Sequence, residues 1–171
     1  MNHHSFFRFI LSTALLLSLI AGTAPHADDV QIDRVTDLQA LGELAKDKHL
    51  PILIMFSQQE CPYCSIMEES YLKPMLRSGE YGDKVIIRQV RIDDFKTLTD
   101  FDGARIEADH LTSRYRAWVT PTLVFLNHTG KEMAPKLVGI GTEGFFAGDI
   151  DDAIDMALAR LRSVALRQVL R

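Results

Sequence analysis

The 171 residues contain only two cysteines. That count excludes a secreted scaffold stapled by many disulfides, and a zinc module built on four thiolates. Basic charge is also scarce, with Lys plus Arg at 19 against 23 Asp plus Glu and a formal net charge of −4. A general nucleic-acid binder needs a basic footprint, so this balance leaves room for a local basic patch at most. Six prolines and ten glycines are too few for a linker-rich or collagen-like chain. No fixed-period repeat, sustained heptad run or low-complexity block is visible. What the chain does have is an apolar content of 47%, enough for a sizeable core in one domain of ordinary size.

The longest uncharged apolar stretch, Phe9 to Ile20, reads FILSTALLLSLI and lies just after Arg8. Small residues follow in AGTAPHA, which completes the layout of a secretory signal peptide. The stretch is short of the ~20 residues that a membrane crossing needs. Cleavage is expected after Ala27 or Ala24, leaving residues 28–171 as the working domain; an uncleaved anchor is the alternative. Removing residues 1–27 takes away Arg8 and no acid, so the body becomes more acidic. No later stretch is long and apolar enough to span a bilayer, and a soluble body in a bacterial periplasm fits best.

Helical and strand patterns alternate along that body. Thr36 or Asp37 is placed to cap a helix whose Leu38, Leu41, Leu44 and Ala45 share one face. Ile52 to Phe56, ILIMF, is a continuous apolar run of the kind found in a strand buried on both faces. Pro62 suits the first turn of a second helix, which Pro74 is expected to kink or interrupt near Lys73. Lys84 to Ile92 reads as a strand, Asp93 to Gly103 as irregular, and Ile106 to Tyr115 as a short helix. Thr122 to Leu126, TLVFL, is a further strand, with Glu132 to Ile140 returning beside it as a hairpin partner. From Asp149 a final helix carries acids near its start and arginines near its end, matching the helix dipole. The order predicts a three-layer α/β domain with a central mixed sheet, its early strands parallel and its late pair antiparallel.

The chemistry centres on Cys61 and Cys64, separated by Pro62 and Tyr63 and set between the buried strand and the start of a helix. A C-x-x-C unit in that context reads as a redox pair. At the helix cap, free N–H groups and the dipole favour a thiolate on Cys61, the expected nucleophile. Cys64, one turn on and deeper, is the expected resolving thiol. A structural disulfide closing so short a loop would add little stability. A metal site is the other alternative, but two thiolates do not complete a tetrahedral shell, and none of His49, His110 and His128 has ligand spacing to them. No metal and no cofactor is therefore expected.

A second feature is Val119-Thr120-Pro121-Thr122 at the entry to the TLVFL strand. From about Leu38 to Leu166 the chain resembles the thioredoxin family. Cys61-Pro62-Tyr63-Cys64 after a buried strand resembles that family's redox motif, Thr120-Pro121 its cis-proline loop, and Gly139 the glycine of its last strand. With the signal peptide and the longer middle segment, the chain is similar to bacterial periplasmic thioredoxins of the SoxW-like type. The resemblance implies a thioredoxin-like fold and a cis Pro121 beside the cysteines. It also implies a backbone at Thr120 that pairs with substrate. Pro62, Tyr63 and Trp118 are expected to border the same groove, although core packing is the more ordinary use of a lone tryptophan.

Four departures accompany the resemblance. Glu60 stands where the family has an aromatic residue, and the dipeptide Pro62-Tyr63 is that of glutaredoxins. Met55 stands where thioredoxins carry a buried aspartate that assists the resolving cysteine, and Glu60, Glu68 or a water is left to substitute. The segment near 94–110 is enlarged and is expected to form a loop and helix that shape partner choice. The expected function is a periplasmic thiol–disulfide oxidoreductase that reduces protein disulfides and is recycled by a membrane-linked electron donor. The chain shows no dimerisation segment and no nucleic-acid footprint, so a monomer is expected. Thiol oxidase, disulfide isomerase and metal-binding chaperone are the alternatives.

Overall fold

The structure is a computed structural model and describes residues 30–94 and 96–169. The expected export segment 1–27 lies outside the described residues. Among those residues, no helix is long and apolar enough to cross a membrane.

The first helix, α1 (Leu38–Lys48), is capped by Asp37 rather than Thr36, with the Ala40 N–H donating to its carboxylate at 2.9 Å. His49 ends the helix in the left-handed region and returns its N–H to the Ala45 and Lys46 carbonyls. Strand β1 (Ile52–Ser57) follows and is buried at every position. The reason is its place in the sheet. β1 pairs in parallel with β2 (Ile86–Arg91) on one side and antiparallel with β5 (Thr122–Leu126) on the other. Strand β6 (Leu137–Val138) completes the order β2-β1-β5-β6, a mixed sheet.

Strand alternation sorts the core into two halves. Leu53, Met55, Ile87, Leu123 and Phe125 pack with Cys64, Met67 and Leu72, and with Phe146, Ile150 and Ile154 of the last helix. Ile52, Ile54, Phe56, Val90 and Val124 pack on the other face with Leu38, Leu41, Leu111 and Tyr115. The cysteine-bearing helix and the last helix therefore share one face, and α1 and α4 (Ala108–Tyr115) the other. This is the expected three-layer architecture.

Several local expectations are corrected. The helix after the cysteines runs as α2 (Pro62–Ile66), a π-helical stretch (Met67–Leu72) and α3 (Lys73–Ser78). The interruption expected near Lys73 is this π stretch: the Lys73 N–H reaches the Glu68 carbonyl, and the chain stays helical through Pro74. Part of the segment expected to be irregular is a hairpin of β3 (Thr97–Thr99) and β4 (Arg105–Glu107), with Leu98 opposite Ile106. Ile106 is thus in a strand, and the helix begins at Ala108. Tertiary bonds hold these short strands: the Thr99 N–H donates to the Thr36 carbonyl, and Arg114 forms a forked ion pair with the buried Asp100 in the hairpin turn. The return strand expected over Glu132–Ile140 shrinks to one bridge at Glu132 and the two residues of β6. The last helix, α5 (Phe146–Val169), starts earlier than Asp149 because Phe146 is drawn into the core against Tyr71, edge to face at 5.2 Å.

Candidate active site

β1 delivers the chain to a tight loop, Gln58 to Glu60, where Glu60 adopts a left-handed conformation (φ 55°). Cys61 is extended and serves as the helix N-cap, and Pro62 occupies the first turn, where its missing N–H costs nothing. The Cys61 sulfur accepts the Cys64 N–H at 3.1 Å, while the Cys61 carbonyl accepts the N–H groups of Cys64 and Ser65. The two cysteines form a disulfide, with Cα atoms 5.2 Å apart. They are unequal: Cys61 is partly exposed, whereas Cys64 is 3% exposed and packed into the core.

Two tertiary features surround the pair. The Thr120–Pro121 peptide bond is cis, and Thr120 Oγ1 lies 3.6 Å from Cys61 Sγ. This loop is held from behind, since the Gly139 N–H donates to the Pro121 carbonyl at 2.8 Å and the Thr122 hydroxyl donates to the Val119 carbonyl at 2.6 Å. On the other side, Asp93 tethers the cysteine loop. Its carboxylate accepts the Gln59 N–H at 2.7 Å and two N–H groups of Arg91 at 2.8 and 2.9 Å. The Arg91 bonds hold the Asp93 carboxyl at about 2, below its ordinary value. Nothing in the local sequence marks Asp93; it reaches Gln59 only because β2 lies beside β1.

Beside the disulfide lies a cleft of about 620 Å³, walled by both cysteines with Glu60, Glu68, Gln89 and Arg91. Met55 is fully buried in the same core cluster as Cys64, so that position offers the resolving sulfur no polar group. Glu68 faces the cleft and accepts a hydrogen bond from the Gln89 amide at 2.5 Å. Gln89 is a site residue that the sequence pattern did not single out.

Of the other expected site residues, Pro62 and Tyr63 lie exposed between the cysteines, with Tyr63 at 63%. Trp118 is 64% exposed, so core packing is not its role. Thr120 is half-buried and Pro121 buried. His49 and His128 line a separate groove against α5, and His110 lies exposed on α4. Among the described residues, no cluster of three or more His, Cys, Asp or Glu is placed to hold a metal.

The family model of a thioredoxin-like domain matches residues 39–152. The chain belongs to the thioredoxin-like family. Malassezia sympodialis thioredoxin superimposes with a TM-score of 0.51 at 17% identity, over 78% of this chain and 98% of that one. Mitochondrial thioredoxin 3 from Saccharomyces cerevisiae matches at 18% identity over 72% of this chain and 93% of that one, with a TM-score of 0.49. At such identity the Malassezia match speaks for the fold alone. None of the curated proteins compared with the chain matches it. With the Cys61–Cys64 disulfide at the head of a helix in this fold, the thioredoxin-like protein is a thiol–disulfide oxidoreductase.

Proposed function

We propose that this protein is an exported reductant of protein disulfides, acting in the bacterial periplasm through Cys61 and Cys64. The observation that carries the reading is the asymmetry of the two sulfurs. Cys61 is the accessible one, at a helix cap, with an N–H and a hydroxyl directed at its sulfur. That surrounding favours a thiolate and hence nucleophilic attack. Attack on a substrate disulfide joins Cys61 to one substrate sulfur and expels the other as a thiolate. Cys64 then attacks Cys61, breaks the mixed bond, and releases the second substrate sulfur reduced while the Cys61–Cys64 disulfide closes. Exposed Tyr63 and Trp118, with Pro62, Thr120 and Pro121, border the groove that receives the substrate chain.

Residues 1–27 support the export half of this reading by their signal-peptide layout. An oxidising compartment demands a source of electrons, which a membrane-linked donor supplies by reducing the Cys61–Cys64 disulfide after each turnover. The protein acts as a monomer and needs no cofactor, since both electrons reside in its own dithiol.

Equilibration with defined thiol buffers and trapping of the redox state in cells test the direction. The expected result is a potential near about −270 mV with a mostly reduced pair in a cell-envelope fraction. A potential near about −120 mV with a mostly oxidised pair assigns an oxidase instead. Cys64→Ala is expected to accumulate covalent partners on Cys61, and equal accumulation on Cys64 in Cys61→Ala overturns the order of attack.

A further inference from the structure

We propose that Glu68, positioned by Gln89, is the proton acceptor for Cys64 in the resolving step, acting through water in the cleft beside the disulfide. The inference rests on the reading of Cys64 as the resolving thiol.

The resolving step needs Cys64 as a thiolate, and a thiol enclosed by apolar groups gives up its proton reluctantly. Behind Cys64 the sheet offers Met55, which has no site for a proton. The proton must therefore leave on the open side, into the cleft of about 620 Å³ that Cys64 itself lines. That volume holds several waters. The charged groups facing this space are Arg34, Glu60, Glu68 and Arg91. The guanidinium groups carry no lone pair for the task, and Arg91 is already committed to Asp93. The choice lies between two carboxylates.

Placement decides between them. Glu60 is exposed on the loop ahead of Cys61, in a left-handed conformation. Glu68 is half-buried and lies one helical turn after Cys64, so that the two side chains rise on the same side of the helix. Its carboxylate is fixed at one oxygen by the Gln89 amide. Gln89 is buried on β2, opposite Met55 in the strand register, and its backbone is bonded on the outer side to Asp33 and Val35. The bond from a buried strand residue thus fixes Glu68 in the wall of the cleft. A carboxylate fixed in the wall of the cleft that Cys64 also lines is placed to act as a general base through water.

From the mixed disulfide, the Cys64 thiol passes its proton through water to the Glu68 carboxylate. The Cys64 sulfur bonds to Cys61 Sγ, the bond from Cys61 to the substrate sulfur breaks, and that sulfur departs with the electron pair and takes a proton from Glu68 or solvent. Two electrons pass from the dithiol to the substrate disulfide. When a dithiol reductant reopens the Cys61–Cys64 disulfide by attack at Cys61, Cys64 departs as a thiolate with the electron pair and takes up a proton from the cleft water.

Stopped-flow reaction of the reduced protein with Ellman's reagent separates the two steps, since attack by Cys61 releases the first thionitrobenzoate and resolution by Cys64 the second. Glu68→Gln keeps the shape and the bond to Gln89 but cannot take a proton. Its first release is expected to stay within about twofold of the parent, and its second to slow by about tenfold or more near neutral pH. The deficit is expected to close as pH rises and solvent removes the Cys64 proton directly. Glu68→Asp is expected to recover part of the rate. Gln89→Leu is expected to slow the second release and to shift its pH profile upward. Unchanged second-release rates and pH profile in Glu68→Gln overturn the proposal, as does an equal slowing in Glu60→Gln. A second release that persists in Cys64→Ala refutes the resolving role of Cys64 itself, a failure distinct from that of Glu68.

Discussion

Thr120 Oγ1 lies 3.6 Å from Cys61 Sγ and joins two loops 59 residues apart in the chain. A hydroxyl directed at the sulfur stabilises negative charge there, in addition to the Cys64 N–H on the helix side. Thr120→Val keeps the side-chain shape and removes the donor. One such bond contributes about 0.5–1.5 kcal/mol, so alkylation of Cys61 at mildly acidic pH is expected to slow roughly two- to tenfold. Iodoacetamide labelling with peptide mapping measures this, and an unchanged rate dismisses the contact.

Asp93 ties the loop before Cys61 to the end of β2 through Gln59 and Arg91. Asp93→Ala removes three hydrogen bonds at a partly exposed site, so the loss of stability is expected to be only about 1 kcal/mol in urea unfolding. The local effect is expected to be larger. Hydrogen exchange at the Gln59 amide should accelerate well beyond the global change, and equal acceleration across the sheet would place the effect elsewhere.

Acid stability depends on two carboxylates. Asp93 is held at about 2 by Arg91, and the buried Asp100 is held below its ordinary value by its bonds from Arg114. Each has a folded value below its unfolded one, so its stabilisation is complete above the ordinary value near 4. It is lost as pH falls through the folded value. Unfolding by acid is expected to develop between about pH 4 and pH 2. Arg114→Gln leaves Asp100 buried without its cation. It should cost about 2 kcal/mol at neutral pH, less than a fully enclosed pair because Arg114 is itself half exposed. It should also move the acid midpoint upward, and circular dichroism across a pH series checks both.

Gly130 stands in the turn after β5 with φ +79°, and an added Cβ would lie 2.6 Å from a ring carbon of Phe101. Its carbonyl also accepts the Tyr115 hydroxyl at 2.8 Å. Gly130→Ala combines a disfavoured backbone conformation with a clash against the hairpin turn, and a loss of about 2 kcal/mol is expected. A midpoint within error of the parent would mean that Phe101 moves aside freely.

Elements with a local signal are legible in the chain alone. The run ILIMF has the length and apolar continuity of a strand enclosed on both faces, the pair Thr36-Asp37 lies where a cap must lie, and Cys61-Pro62-Tyr63-Cys64 names its own chemistry because a helix start follows directly. Other features depend on neighbours distant in the chain. β3 and β4 have three residues each, too short for an alternating pattern to show, and they exist because Thr36 and Arg114 hold them. Trp118 is exposed, which its apolar character alone would not suggest. The bonds of Asp93 to Gln59 and of Gln89 to Glu68 arise only when β2 lies in register beside β1 and the cysteine helix crosses their ends. A hydrogen bond between groups 21 or 34 residues apart leaves no periodicity behind, because what fixes it is the geometry of the sheet and not the spacing along the chain.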